Sequence, residues 1–334
     1  TSAIKVYTDF IHFQVKQTLK NLREFIKNTN EGIKKNPAED EHNTELLMSV
    51  MKTISEVRLV EEGGKTEKLV KRLHNMVVLL KKQTGVTLEE DYQNAIDAAY
   101  TQYYETSRRV FEVKAAILPL ITKEKAAIKK RIDQFVIQVQ EFRNEFLQKV
   151  PTTYDERMEI NQVNANYDIL TDYYNRLIKI EAEAKDYENL ETLFELEQTS
   201  YKQLKDCRVD LKHVKIFWDA VAMVTYQYND WKQKTWKSIK ADLLQETNKI
   251  LTAQIKVLPR EVKSYKGYAV LEKRVKNMQT LLPLISSLHS EFMEQRHWNE
   301  IMQITGKEVE PFSATFSFND ILNMELYEYE TAVN

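Results

Sequence analysis

Apolar side chains recur at three- and four-residue steps along almost the whole chain, and this spacing places them on one face of an α-helix. The longest run extends from Tyr92 to Pro151 and is interrupted at Pro119. Further long runs occupy 163–187 and 204–231. Because an amphipathic helix must bury its apolar face against a partner, the pattern predicts antiparallel helical bundles.

Local signals place several helix ends. The Gly63-Gly64 pair should break one helix, and Gly85 should end the next one as a C-cap residue. Thr87 with Glu90 three residues later resembles a capping box, which predicts the start of the long helix there.

Prolines mark the corners of the predicted bundles, because proline removes a backbone hydrogen bond and clashes with the preceding turn. We expect a break or kink at Pro119 and helix ends at Pro151, Pro259 and Pro283. These interruptions also disfavour one continuous coiled coil. Alternating apolar residues over 315–318 predict a short strand or an extended loop. The predicted fold class is therefore all-α, with elongated antiparallel bundles, proline-marked corners and a possible short strand.

The composition supports this class. The 334 residues include only 6 Gly and 6 Pro, where average usage would give about 40 of the two together. Sandwiches, barrels and Rossmann-type sheets need these residues at their tight turns, so the composition disfavours all three. Phosphate-binding glycine loops are disfavoured for the same reason.

Charge and cysteine content restrict the possible partners and the compartment. Lys and Arg (48) nearly balance Asp and Glu (50), so no global field would attract nucleic acid or a membrane, and we expect neither as a partner. Cys207 is the single cysteine, which indicates a reducing compartment. Because the chain begins without Met and stops at Asn334, we expect it to be a fragment of a larger protein.

The chain contains one partial match to a catalytic motif. Gly64, Lys65 and Thr66 correspond to the end of a Walker A motif, but Leu59 stands where the motif's first glycine should be. The preceding residues are typical of a helix end instead of a strand. We therefore predict a turn between two helices here.

The histidine, cysteine and aromatic side chains are better explained by structural roles than by catalysis or metal binding. His289 and His297 lie eight residues apart across an expected helix break, a spacing that implies no shared metal. A basic neighbour could lower the pKa of Cys207, but no histidine is placed to activate it. Aromatic residues at helical spacing indicate core more than a binding groove; these are Trp218, Trp231, Trp236 and Trp298, with Tyr226 and Tyr228. We predict a non-catalytic chain with no metal site.

Five short motifs occur in a fixed order between residues 190 and 329. They are an opening at Phe194, a tryptophan-bearing helix with Trp218 and Trp231, Leu-Pro turns at Pro259 and Pro283, the run Arg296-His297-Trp298, and Thr305-Gly306. In this order they resemble the start of the linker region of dynein heavy chains. The sequence around His289 is closer to axonemal than to cytoplasmic heavy chains, and the outer-arm type fits best. Residues 1–190 are similar, by position, to the helical tail that precedes the linker.

The resemblance implies a helical tail (stem) segment over 1–190 and the N-terminal part of a linker over 191–334. It implies a non-catalytic piece that transmits force and supports assembly in a minus-end-directed microtubule motor of cilia and flagella. ATP and magnesium would bind in the AAA+ ring of the parent chain, and this piece would hold no cofactor. Implied partners are dynein intermediate chains, light chains, other heavy chains and the parent's own ring, with microtubules bound elsewhere. The implied location is the cytoskeleton of the axoneme.

Two alternatives stay open at the level of sequence. The chain could be a stand-alone helical-bundle scaffold or tethering adaptor, or an all-helical enzyme with a novel site. Within the resemblance, Trp298 should pack in the core while Arg296 ties a helix start to neighbouring carbonyls. A direct contact of this motif with the ring or a partner chain is the competing interpretation.

Overall fold

A computed structural model describes residues 2–34, 44–61, 64–84, 92–290 and 292–329. Over these residues the chain is all-α and contains no sheet, which confirms the predicted class. The helices are α1 (Ser2–Ile33), α2 (Thr44–Glu61), α3 (Lys65–Thr84), α4 (Tyr92–Ala116), α5 (Leu118–Lys149), α6 (Ile160–Leu193), α7 (Lys202–Lys232), α8 (Ala241–Lys256), α9 (Arg260–Lys263), α10 (Lys266–Leu288), α11 (Gln295–Thr305) and α12 (Phe318–Asn323). The expected features at Gly63, Gly85, Thr87 and Glu90 lie outside the described residues.

The helices form two compact units. The first unit consists of Thr1–Phe135 and Lys185–Ser200, and the second of Val136–Ala184 and Tyr201–Asn334. The divisions fall within α5 and α6 and in the connection between α6 and α7. The boundary between tail and linker at residue 190 is placed by resemblance to a protein family, and the division into compact units does not test it. This boundary stays a prediction.

In the first unit, α1, α3 and α4 share one apolar core. The helix α3 runs antiparallel to α4, because His74 pairs with Asp97 and Lys81 with Gln93. In contrast to the predicted antiparallel pattern, α1 runs parallel to α4. His12 meets Tyr92 near the start of both helices, and contacts farther along α1 lie farther along α4.

This parallel pair follows from the course of α2 and α3. Glu61 at the end of α2 contacts Ser107, and α3 continues down α4 towards its first residues. Gly64, with φ +55°, joins the two helices, and its N–H donates to the Glu61 carbonyl at 2.8 Å. Together α2 and α3 bring the chain back to the N-terminal end of α1. Helix α4 therefore starts beside the N-terminal part of α1 and runs in the same direction.

In the second unit, residues of α5, α6 and α7 form an up-down-up bundle. Glu145 of α5 contacts Arg176 of α6, and Glu181 of α6 contacts Arg208 of α7. Farther along, Tyr167 of α6 donates to Asp219 of α7 at 2.9 Å. These pairs run in opposite directions along neighbouring helices, as predicted. The helices α8 and α10 then pack against each other, and α10 also contacts α7.

Three of the four proline predictions are confirmed. Helix α4 ends at Ala116 and α5 begins two residues later, with Pro119 in its first turn; Pro151 follows the end of α5; and Pro259 is the N-cap of α9. The prediction for Pro283 is wrong, because this residue lies inside α10.

Pro283 is tolerated because its ring lies on the exposed face of α10. The carbonyl that loses its partner belongs to Gln279, which is exposed and can bond to water. Leu281, Leu282 and Leu284 are buried around the proline, and their burial outweighs the lost hydrogen bond. None of the helices in the described part of the chain is long and apolar enough to cross a bilayer.

Candidate functional site

Trp298, from the most specific linker-like motif, lies in a group of rings in the second unit. Trp236, His289, Trp298 and Phe316 form this group, which we call the aromatic cluster. The centroids of Trp236 and Trp298 lie 5.9 Å apart, and Phe316 lies 5.5 Å from Trp236 and 5.7 Å from Trp298. Trp298 is 2% exposed, which is the core position predicted for it. The cluster therefore joins the end of α7, the end of α10, α11 and the segment before α12.

Backbone contacts fix the same joint. The Trp236 N–H donates to the Phe316 carbonyl at 2.8 Å, and the Phe318 N–H donates to the Lys234 carbonyl at 3.0 Å. Thr235 and Ser317 form an isolated antiparallel bridge. The possible strand over 315–318 is thus reduced to one bridge, because only a short 3₁₀ turn lies beside it and no neighbouring strand extends the ladder.

The start of α11 is held by two side chains. Glu294 accepts from the backbone of His297, and the Glu294 N–H donates to His297 Nδ1 at 3.1 Å, which completes a capping box. Arg296, predicted to tie the helix start to carbonyls, is instead exposed and pairs with the Glu294 carboxylate at 3.1 Å. A guanidinium in the first turn meets carboxylates and N–H groups there, because the free carbonyls of a helix lie at its other end.

The end of α11 carries the last motif. The Thr305 hydroxyl is buried and donates to the Ile301 carbonyl at 2.9 Å. Gly306 follows in the left-handed region, with φ +67°, and its N–H bonds to Met302 at 2.8 Å. A left-handed residue after a helix strongly favours glycine, so the Thr-Gly pair acts as a C-cap.

Trp218 anchors the connection that follows α5. Its indole Nε1–H donates to the Pro151 carbonyl at 2.8 Å, and its ring contacts Tyr154 edge to face. Gly267 at the start of α10 approaches the same connection closely, with its N–H bonded to Thr152 at 3.2 Å. A Cβ at Gly267 would lie 2.8 Å from the Tyr154 backbone nitrogen, so this contact requires glycine.

Trp231 packs with Tyr228 at a ring distance of 5.1 Å. The Tyr228 hydroxyl donates to Asn248 Oδ1 at 2.6 Å, and the Asn248 amide donates to the Val275 carbonyl at 3.4 Å. Burial raises the pKa of Tyr228 above its usual range. Asn248 is 1% exposed and links α7, α8 and α10. The sequence signal for it was only a polar residue on the apolar face of α8.

Phe194, the first motif residue, lies in the other unit. It is fully buried in a core with residues of α2, α4 and α5. The adjacent Glu195 has φ +54° and accepts from Lys114 at 2.8 Å and from Arg58 at 2.5 Å. The Lys114 hydrogen bond, with support from Arg58, lowers the pKa of Glu195. Sequence reasoning missed this shared carboxylate, because Arg58 and Lys114 are distant in sequence.

Charged pairs connect α5, α6 and α7 in the second unit. Arg176 forms two bonds with Glu145, the shorter at 2.6 Å, and lowers the pKa of Glu145 to about 2, with help from Lys149. Arg143 bonds Asp210 at 2.6 Å. Bidentate guanidinium–carboxylate pairs fix geometry as well as charge, so these contacts set how the helices face each other.

The candidate catalytic and metal-binding residues lie in structural positions. Gly64, Lys65 and Thr66 lie between two helices, as predicted, and no strand precedes them in the described chain. Burial raises the pKa of Cys207 and outweighs the lowering caused by Arg143, which lies 3.4 Å away. His289 donates to the Trp236 carbonyl at 3.0 Å, whereas His297 caps α11. Among the residues described, no three His, Cys, Asp or Glu side chains could hold one metal ion.

Comparison with known proteins decides the family. Residues 204–334 match the sequence model of the dynein heavy chain N-terminal region 2. The chain is 31% identical over 294 residues to the flagellar outer-arm dynein beta chain of Chlamydomonas reinhardtii, which covers 86% of this chain and 6% of that protein. The chain is a homologue of axonemal dynein heavy chains. It is also 26% identical over 328 residues to dynein axonemal heavy chain 17 of Mus musculus, which covers 98% of this chain and 7% of that protein.

The dynein relationship confirms the predicted resemblance, including its axonemal, outer-arm character. It favours a dynein segment over a stand-alone scaffold. The chain spans only about 6 to 7% of the length of these dynein relatives. The matched dynein region contains all of the motif residues except Phe194. Their particular roles in the dynein family stay predictions.

Proposed function

We propose that this chain is a non-catalytic segment of an axonemal dynein heavy chain, which spans the end of the tail and the beginning of the linker. The observation that carries the proposal is the similarity to an outer-arm beta chain over 86% of the chain. The linker-like motifs in residues 204–334 support the placement within that protein. In this position the segment transmits force between a motor ring and the tail.

The packing of the second unit supports a mechanical role. A force-transmitting element must resist bending, and close-packed cores have low compressibility. Trp218, Trp231 and Trp298 are all at most 2% exposed and lie at the contacts between helices. Each wide ring touches several elements, so relative sliding of those elements would open cavities, which is costly.

The parent chain supplies the engine and the binding partners in this proposal. ATP and magnesium bind in its AAA+ ring, microtubules are bound by other regions, and this segment holds no cofactor. The tail part contacts other heavy chains, intermediate chains and light chains. The location is the axoneme, since the relatives are named for flagella, cilia and axonemes.

The force-transmitting role is tested by interrupting α7 in the full-length heavy chain. A Gly-Gly-Ser insertion after Lys215, inside α7, should slow microtubule gliding while ATP turnover by the ring persists. The matched control carries the same insertion after Phe292, which is 86% exposed between α10 and α11. Unchanged gliding with the α7 insertion would refute force transmission. Loss of ATP turnover with that insertion alone would refute the non-catalytic assignment.

The assembly role is tested by cross-linking mass spectrometry of the assembled motor. We expect cross-links from residues 1–190 to other chains of the complex. Residues 191–334 should cross-link mainly within the heavy chain, which provides an internal comparison. If all cross-links from residues 1–190 stayed within the same heavy chain, the proposed tail role in assembly would be rejected.

A further inference from the structure

A polar cavity in the second unit lies apart from the aromatic cluster. It has a volume of about 240 Å³ and is lined by the 156–157 turn, the end of α7, the middle of α10 and residues 319–327. Three cationic side chains line it, namely Arg157, Lys232 and Arg274. The amide side chains of Asn277 and Asn319 add further hydrogen-bond donors. The cavity is therefore rich in hydrogen-bond donors and in positive charge.

Arg274 is held rigidly in this cavity. Its Nη1 donates to the Thr225 hydroxyl at 3.2 Å and to the Tyr154 hydroxyl. Its guanidinium carbon lies 5.3 Å from the centre of the Tyr228 ring and 5.9 Å from that of Tyr154. These contacts use one nitrogen and the face of the guanidinium. Among the residues that the structure describes, its Nε and Nη2 donors have no acceptor.

Lys232 is a second cation in the same half-buried space. Burial, and then the charge of Arg274, lower the pKa of Lys232. Neither cation forms an ion pair with a carboxylate in the described part of the chain. Two like charges held together without a counter-charge destabilise the fold, and a bound anion would remove that cost.

The acidic residues at the cavity have other neighbours. Glu325 pairs with Lys307 at 2.6 Å. Glu156 also lines the cavity, and burial, together with Glu325 and Glu156, raises the pKa of Tyr327. Among the described residues, neither of these carboxylates forms an ion pair with Lys232 or Arg274.

We propose that this cavity binds a phosphate group, held by the Lys232 ammonium and by the unused donors of Arg274. A phosphate carries close to two negative charges and several acceptor oxygens, so it matches two cations and the amides of Asn277 and Asn319. A carboxylate would neutralise only one of the two cations. The group comes either from free phosphate or from a phosphorylated side chain, and both present the same chemistry to the cavity.

The test measures binding of inorganic phosphate to the 334-residue chain by titration calorimetry, at an ionic strength matched with chloride. Lys232→Gln should weaken binding by about tenfold or more, because it removes a charge-assisted hydrogen bond. Lys234→Gln is the matched control, since it removes the same charge from a residue paired with Asp230 and outside the cavity. We expect it to bind phosphate as the unaltered chain does. Circular dichroism checks the fold of each variant.

A second variant keeps the test valid if Lys232→Gln fails to fold. Arg157 is exposed at the rim, so Arg157→Gln should leave the fold intact and weaken phosphate binding by about threefold. Phosphoserine is titrated in parallel with inorganic phosphate. Tighter binding of phosphoserine supports a phosphorylated side chain as the source, and tighter binding of inorganic phosphate supports free phosphate. Absence of phosphate binding, equal binding by Lys232→Gln and the control, or acetate binding as tight as phosphate would each overturn the proposal.

Discussion

Trp298→Ala tests whether the most specific linker-like motif acts through the core. Trp298 is 2% exposed, and its ring contacts Trp236 and Phe316 edge to face. Both neighbours are held by the backbone hydrogen bond between them. They therefore have little freedom to collapse into the space that the missing indole would leave.

The expected loss follows from the buried area. A buried tryptophan removes about 150–250 Å² from water, and alanine retains only a small part of it. At about 25 cal/mol per Å², the loss of transfer free energy is about 4 kcal/mol. Measured substitutions of large aromatic residues by alanine cost about 3–5 kcal/mol, which includes the cavity left behind. We therefore expect the free energy of unfolding to fall by about 3–5 kcal/mol.

Urea unfolding followed by far-ultraviolet circular dichroism measures this loss without relying on tryptophan fluorescence. Trp298→Phe keeps a ring in the aromatic cluster and should cost less than half as much. Phe312→Ala removes a ring that is 60% exposed in the same part of the chain, and should change the free energy by less than about 0.5 kcal/mol.

Unchanged stability of the Trp298→Ala chain would refute the core role. If motor assembly were lost at the same time, Trp298 would contact the ring or a partner chain instead. A loss as large for Phe312→Ala as for Trp298→Ala would also contradict the reasoning, because it would show that burial does not control the effect.

Three other measurements follow from local contacts. Gly267→Ala should lower the free energy of unfolding by about 1–3 kcal/mol, because its Cβ would meet the Tyr154 backbone; an unchanged urea midpoint would contradict this. Arg176 lowers the pKa of Glu145 from 4.5 to about 2, so this carboxylate stabilises the fold above pH 4.5 and loses its contribution as the pH falls towards 2. Glu145→Gln should flatten that part of a plot of urea midpoint against pH, and an unchanged slope would exclude the pair as its source. Since burial raises the pKa of Cys207, alkylation at neutral pH should be much slower in the folded chain than in urea, and equal rates would show that the thiol is accessible.

The helices and much of the core could be predicted because they depend on local sequence. The three- and four-residue spacing identified the long helices, and Trp218, Trp231 and Trp298 lie in the core as predicted. Breaks at Pro119, Pro151 and Pro259 were also predictable. Each of these prolines acts on its own turn, so the neighbouring sequence contains the necessary information.

Features that depend on distant residues could not be predicted in the same way. Pro283 continues a helix because tertiary burial of leucines on both sides outweighs its local preference. Glu191 is fully buried, and it accepts from the Thr199 N–H at 3.0 Å. The residues next to Glu191 in the sequence give no sign that it differs from the glutamates on the surface. Helix directions depend on which faces meet, and the spacing of apolar residues is the same for parallel and antiparallel neighbours.

The aromatic cluster has a consequence for the order in which the chain can fold during synthesis. Trp236 and Trp298 leave the ribosome before Phe316, so the cluster lacks its third ring until the C-terminal part is made. Domains fold as their residues emerge, and here the end of α7 must wait for residues translated much later. A shortened chain that ends before Phe316 would lack one ring contact of Trp236 and one of Trp298. The second unit therefore cannot complete its aromatic packing until the residues after α11 have been made.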